Sequence, residues 1–85
     1  MNYEKKFILK ELLLQYCLIS IDDGSTYIGK LLTFDNLTNI TLYNAHKLDY
    51  LEDGTLSYRK LGGLVIRGNH VKSIGKLKKV PSRFQ

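Results

Sequence analysis

The feature that most constrains this chain is a change of hydrophobic period at Tyr16. Before it, Phe7, Ile8, Leu12 and Leu14 recur at near-helical spacing, with Glu4, Lys5 and Glu11 elsewhere on the wheel. No Gly or Pro interrupts the stretch, so Tyr3 to Gln15 is predicted to be helical. After Tyr16, Cys17, Ile19 and Ile21 alternate with Leu18, Ser20 and Asp22, the period of a strand with one buried face. A helix of about three turns is not stable alone, so its apolar stripe must pack on the rest of the chain.

The remainder of the chain is punctuated by tight turns. Asp23-Gly24 is a strong hairpin signal between the first strand and a second one over Ser25 to Thr33. Gly29 lies inside that second strand, where glycine marks a sharp bend, a bulge or a close backbone approach. Phe34-Asp35-Asn36-Leu37-Thr38-Asn39 is polar and turn-like, and a third strand runs from about Ile40 to Leu48. Asp53-Gly54 is a second hairpin turn, Leu56 to Ile66 reads as a fourth strand loosened by Gly62-Gly63, and Arg67-Gly68-Asn69 is a third tight turn. His70 to Leu77 is a short last strand. One helix and then five antiparallel strands predict a mainly β fold: a strongly bent five-stranded sheet forming a small open barrel with the helix on it. Periodicity alone does not choose between the OB, SH3 and related barrels.

At 85 residues there is room for one domain, placed at residues 1–77, with a basic tail at 78–85 that contains the only proline, Pro81. So small a core is marginal by itself, and oligomerisation is one remedy. No apolar run approaches the ~18 residues of a membrane helix, so no membrane partner is expected. The start, Met1 to Lys6, lacks the apolar stretch of a signal peptide, and the single cysteine, Cys17, excludes an internal disulfide and a Cys-rich zinc site. An intracellular protein is expected.

Charge is uneven. Residues 1–40 carry four basic and five acidic side chains, whereas residues 41–85 carry nine and three. The last nineteen residues hold Arg67, Lys72, Lys76, Lys78, Lys79 and Arg83 and no acid. A one-sided basic face fits a polyanion partner as well as it fits a solvated tail.

Catalytic and metal-binding readings find little support. Asp22 and Asp23 are adjacent in a strand-to-turn segment and point to opposite faces, so turn chemistry accounts for them better than acid–base work. His46 and His70 have no ligand-spaced partners, and Cys17 sits in an apolar alternating strand. The tyrosines are scattered along strands and read as cross-strand packing. No enzyme, metal site or cofactor is expected.

Taken together, Asp23-Gly24, Gly29, Phe34-Asp35-Asn36-Leu37-Thr38-Asn39 and Leu64-Val65-Ile66-Arg67-Gly68-Asn69 resemble the two motifs of the Sm and Sm-like (LSm) RNA-binding family, in order, over about residues 7–77. The stretch between Asn39 and Arg67 and the ending Ser73-Ile74-Gly75 look most like the subunits that distinguish the cytoplasmic from the nuclear seven-membered LSm ring. The resemblance implies a ring of six or seven subunits in which the fourth strand of one pairs with the fifth strand of the next, leaving no open sheet edge. It also implies a pore in which uridine-rich single-stranded RNA threads past two loops of each subunit. The RNA-binding residues would be Leu37, Asn39, Arg67, Gly68 and Asn69, with Asp35 bracing the loop and Gly29 at the strand bend.

The chemistry suits those types. A guanidinium such as Arg67 stacks on a base face. An amide such as Asn39 offers a donor and an acceptor to a base edge. Gly68 lets backbone come close, and Asp35 is suited to an Asx-type turn. Two positions depart from the family: Leu37 stands where an aromatic or His is common, and His70 where Asn is common. The function expected is that of a ring subunit binding uridine-rich RNA in pre-mRNA splicing or mRNA decay, in nucleus or cytoplasm if the source is eukaryotic. The alternatives are a scaffold subunit that closes the ring and recruits proteins, which Leu37 favours, and a homo-oligomeric Sm-like RNA chaperone.

Overall fold

The computed structural model describes residues 3–82. Helix α1 spans Tyr3–Leu12 and is followed by β1 (Tyr16–Ile21), β2 (Thr26–Phe34), β3 (Ile40–Tyr50) and β4 (Leu56–Ile66). A single 3₁₀ turn (Gly68–His70) then leads into β5 (Val71–Lys76). The strands form one antiparallel sheet in the order β4-β3-β2-β1-β5. The curled sheet brings β5 back beside β1, and β4 and β5 are left as its two edges.

The helix is shorter than its hydrophobic pattern predicts. It stops at Leu12 rather than Gln15, because Leu14 adopts a left-handed conformation (φ 64°). The Leu14 N–H leaves the helix and donates to the Leu31 carbonyl at 2.7 Å, and the Leu31 N–H donates to the Gln15 carbonyl at 3.0 Å. These two bonds deliver the chain into the sheet. The packed stripe also differs. Leu9 and Leu12 are buried and Leu13 packs beside them, at i, i+3 and i+4. Phe7, Ile8 and Leu14, read from the sequence as part of the stripe, are exposed. Two apolar triplets, 7–9 and 12–14, fit more than one phase of the helical wheel, and contact with the sheet selects one.

Leu9 and Leu12 cap a core made by Cys17, Ile19, Leu31, Ile40, Leu42, Ala45 and Ile66. The inward residues of β1 alternate as expected, with Cys17 and Ile19 fully buried. Gly29 faces Cys17 across the β1–β2 pair and lies where the β2–β3 register shifts. A β-carbon there would stand 3.0 Å from Leu42 Cβ and 3.3 Å from Ala45 Cα, closer than side chains normally approach. The absence of a side chain therefore lets β3 fold down onto β2 at this point.

The hairpins obey local chemistry. Asp23 Oδ1 accepts from Ser25 N–H at 2.8 Å, and Asp53 Oδ1 accepts from Thr55 N–H at 2.9 Å. The third turn takes the form of one 3₁₀ turn, so β5 begins at Val71 and not at His70. Of the segment read as a tail, residues 78–82 contribute no strand, and Arg83, Phe84 and Gln85 lie outside the described residues. Among the described residues no helix is long and apolar enough to cross a membrane.

Candidate nucleic-acid interface

Two loops at one end of the sheet, 35–39 after β2 and 67–70 after β4, are joined by hydrogen bonds. The first is organised by Asp35. Its Oδ1 accepts from the backbone N–H groups of Leu37 and Asn39, both at 2.9 Å, and its Oδ2 accepts from Asn39 Nδ2 at 2.9 Å. The bond from the Asn39 side chain, with help from the backbone donors, holds the Asp35 carboxyl below the usual carboxylate range. Thr38 takes a left-handed conformation (φ 61°), is buried, and donates its hydroxyl proton to the Leu37 carbonyl. With Thr38 turned inward, Leu37 is turned outward and is 70% exposed.

The second loop is seated on the first. Asn39 Oδ1 accepts from the Gly68 N–H at 2.9 Å. Gly68 is buried, and a β-carbon on it would lie 2.5 Å and 2.6 Å from the carbonyl oxygens of Thr38 and Leu37. Only a residue without a side chain lets the two loops approach this closely. The turn closes when the His70 N–H donates to the Arg67 carbonyl at 3.0 Å. Arg67 and Asn69 flank the buried Gly68 and are exposed.

The residues singled out from the sequence thus fall into two groups. Asn39 and Gly68 touch directly and join the loops, while Leu37, Arg67 and Asn69 extend outward around that junction. The Asn39 amide holds one donor and one acceptor bond within the protein, which leaves it one N–H and one lone pair for a base edge. Such a surface offers an apolar patch, a guanidinium and an amide to an unstacked base. Two features were not anticipated from the sequence. Thr38 has no periodic signal, because its role depends on its backbone conformation. Asp22 pairs with His70, their Oδ2 and Nδ1 atoms 2.9 Å apart. The one sequence signal for that pair is that Asp22 duplicates an acid where Asp23 alone serves the hairpin. Among the described residues no group of three His, Cys, Asp or Glu side chains is placed to hold a metal ion.

The LSM domain model matches residues 8–76. The chain belongs to that family, the Sm and Sm-like proteins. Its fold is similar to that of a heptameric archaeal Sm protein, 26% identical, with a TM-score of 0.66 over 81% of this chain and 94% of that one. It is also similar to the Pyrococcus abyssii Sm protein in complex with a uridine heptamer, 25% identical, with a TM-score of 0.69 over 85% and 96% of the two chains. A chain of the NatC complex bound to CoA shares the fold at 20% identity, with a TM-score of 0.67 over 82% and 84%. A comparison with curated protein sequences finds no match.

Proposed function

We propose that this protein is a ring-forming subunit that binds uridine-rich single-stranded RNA inside the cell, through Leu37, Asn39, Arg67, Gly68 and Asn69. The observation that carries this reading is the bond from Gly68 N–H to Asn39 Oδ1, which makes one surface of two loops 29 residues apart. Asp35 braces the surface, and Gly29 permits the bend that brings the strands together. The similar archaeal heptamer, and the Sm protein bound to a uridine heptamer, support both parts of the proposal. The edges β4 and β5 are the strands such a ring would join, and Leu61 and Val65 on β4 are exposed for that contact. The process served is RNA processing, either pre-mRNA splicing or mRNA decay. Native mass measurement, alone and with paralogous subunits, should give six or seven chains. Anisotropy with labelled oligouridine and oligoadenosine should show preference for uridine, weakened by Arg67→Ala. A monomer under all these conditions refutes the ring, and equal binding of the two oligomers refutes the base preference.

Leu37 supports a second reading. A largely exposed aliphatic side chain cannot stack on a base, which fits a scaffold subunit with little RNA contact of its own. Arg67→Ala with unchanged oligouridine affinity would favour it.

A further inference from the structure

Asp22 and His70 meet at the end of the β1–β5 ladder. Just beyond the pair Ile21 and Val71, the Asp22 N–H donates to the His70 carbonyl at 2.9 Å, and His70 Nδ1 lies 2.9 Å from Asp22 Oδ2. The His70 N–H in turn donates to the Arg67 carbonyl. Bonds therefore run in series from the β1–β2 turn, through His70, to the residue that opens the RNA-facing turn. The β1–β2 hairpin does not need the Asp22 carboxylate, because Asp23 accepts from the Ser25 N–H. That carboxylate is instead engaged with a residue 48 positions away.

Both side chains are about half exposed, so protons reach the imidazole freely. Histidine is the side chain whose ordinary titration range spans neutrality. Around His70 stand Asp22 and Asp23 of the β1–β2 turn, Tyr27 of β2 and Arg67 of its own turn, all lining one open cleft. Lys47 of β3 acts on Asp23. Bonds from Ser25 hold Asp23 below the ordinary carboxylate range, and carboxylates, lysine and arginine keep their charges between pH 5.5 and 8 as a class. Histidine is the residue type of this cluster whose ordinary range falls in that interval. Protonation of the imidazole turns its bond to the Asp22 carboxylate into an ion pair, which firms the turn. It also offsets one of the two carboxylate charges that line this cleft together with Arg67, so that a polyanion meets a less negative rim.

We propose that His70, held by Asp22, is a further residue of the RNA-binding turn, and that its protonation strengthens the binding of uridine-rich RNA as the pH falls through the histidine range. The proposal rests on the RNA-binding reading above. The test is oligouridine anisotropy at fixed ionic strength from pH 8 to pH 5.5, on the full chain in the oligomer it forms, with partner subunits where it needs them. One added charge about 6 Å from one phosphate in water changes affinity by a factor of about three. Wild type should therefore bind about threefold or more tightly at pH 5.5 than at pH 8. His70→Asn, which can still bond Asp22 and does not titrate, should give a flat profile. His70→Lys, charged throughout, should bind at pH 8 as wild type binds at pH 5.5. A flat wild-type profile, or a His70→Asn profile parallel to wild type, overturns the assignment of His70 and leaves the RNA reading standing. Wild type that fails to bind oligouridine at every pH overturns the RNA reading, and this proposal with it.

Discussion

The side-chain oxygen of Asn39 accepts a hydrogen bond from the backbone N–H of Gly68 at 2.9 Å, while its amide nitrogen donates to Asp35. One side chain thereby couples the β2–β3 loop to the turn that carries Arg67. Asn39→Ala removes both bonds and leaves the buried Gly68 N–H without this acceptor. The expected loss is about 0.5–1.5 kcal/mol for each bond removed, the net worth of a typical intramolecular hydrogen bond. Urea unfolding of the two proteins measures it, and an unchanged midpoint would show that the loops are held together by other contacts.

Gly29→Val tests the bend in β2. The first added carbon alone would meet Leu42 Cβ at 3.0 Å and Leu42 Cδ1 at 3.1 Å. Overpacking of this kind costs about 1–3 kcal/mol. For a domain this small, each kcal/mol corresponds to a fall in Tm of about 4–8 °C. Thermal melting monitored by circular dichroism should show that fall, and a Tm within error of wild type would mean that β2 and β3 have room to separate.

Acid should loosen the β2–β3 loop that Asp35 organises. The folded-state pKa of Asp35 is depressed, chiefly by its bond from the Asn39 side chain. A depressed carboxyl contributes stability that is present above the unfolded value of about 3.9 and lost as the pH falls through the lower folded value. Tm should therefore drop below about pH 4, and Asp35→Asn should flatten part of that drop while costing stability at pH 7. Melts from pH 7 to pH 2.5 decide it; identical slopes for the two proteins would mean that Asp35 takes no part in the acid transition.

Leu37 and Arg67 should act together on one base. A guanidinium on one face and an aliphatic chain on the other make half of a stacking site, and base–aromatic stacking is worth about 1–3 kcal/mol per base. Leu37→Tyr should tighten oligouridine binding, Arg67→Ala should weaken it, and the double mutant should depart from additivity. Anisotropy at fixed salt on all four proteins measures the coupling. Strict additivity would place the two side chains on different bases.

Local chemistry made much of this protein legible in its sequence. Asp23-Gly24 and Asp53-Gly54 form their hairpins through bonds that span two residues, and so the turns can be read within a window of four or five letters. Alternation placed Cys17 and Ile19 on the buried face, and β4 runs over Leu56–Ile66, the span its pattern predicts. The motif around Asp35 and Asn39 and the one around Arg67 and Gly68 are likewise visible as strings. Their mutual seating is not, because it depends on how sharply the sheet curls. A hydrophobic period tells a strand which face to bury and leaves open which distant strand it will meet. The β1–β5 pairing, the choice of Leu9 and Leu12 over Phe7 and Ile8 as the buried helix face, and the meetings of Asn39 with Gly68 and of Asp22 with His70 were decided only when the chain closed on one core.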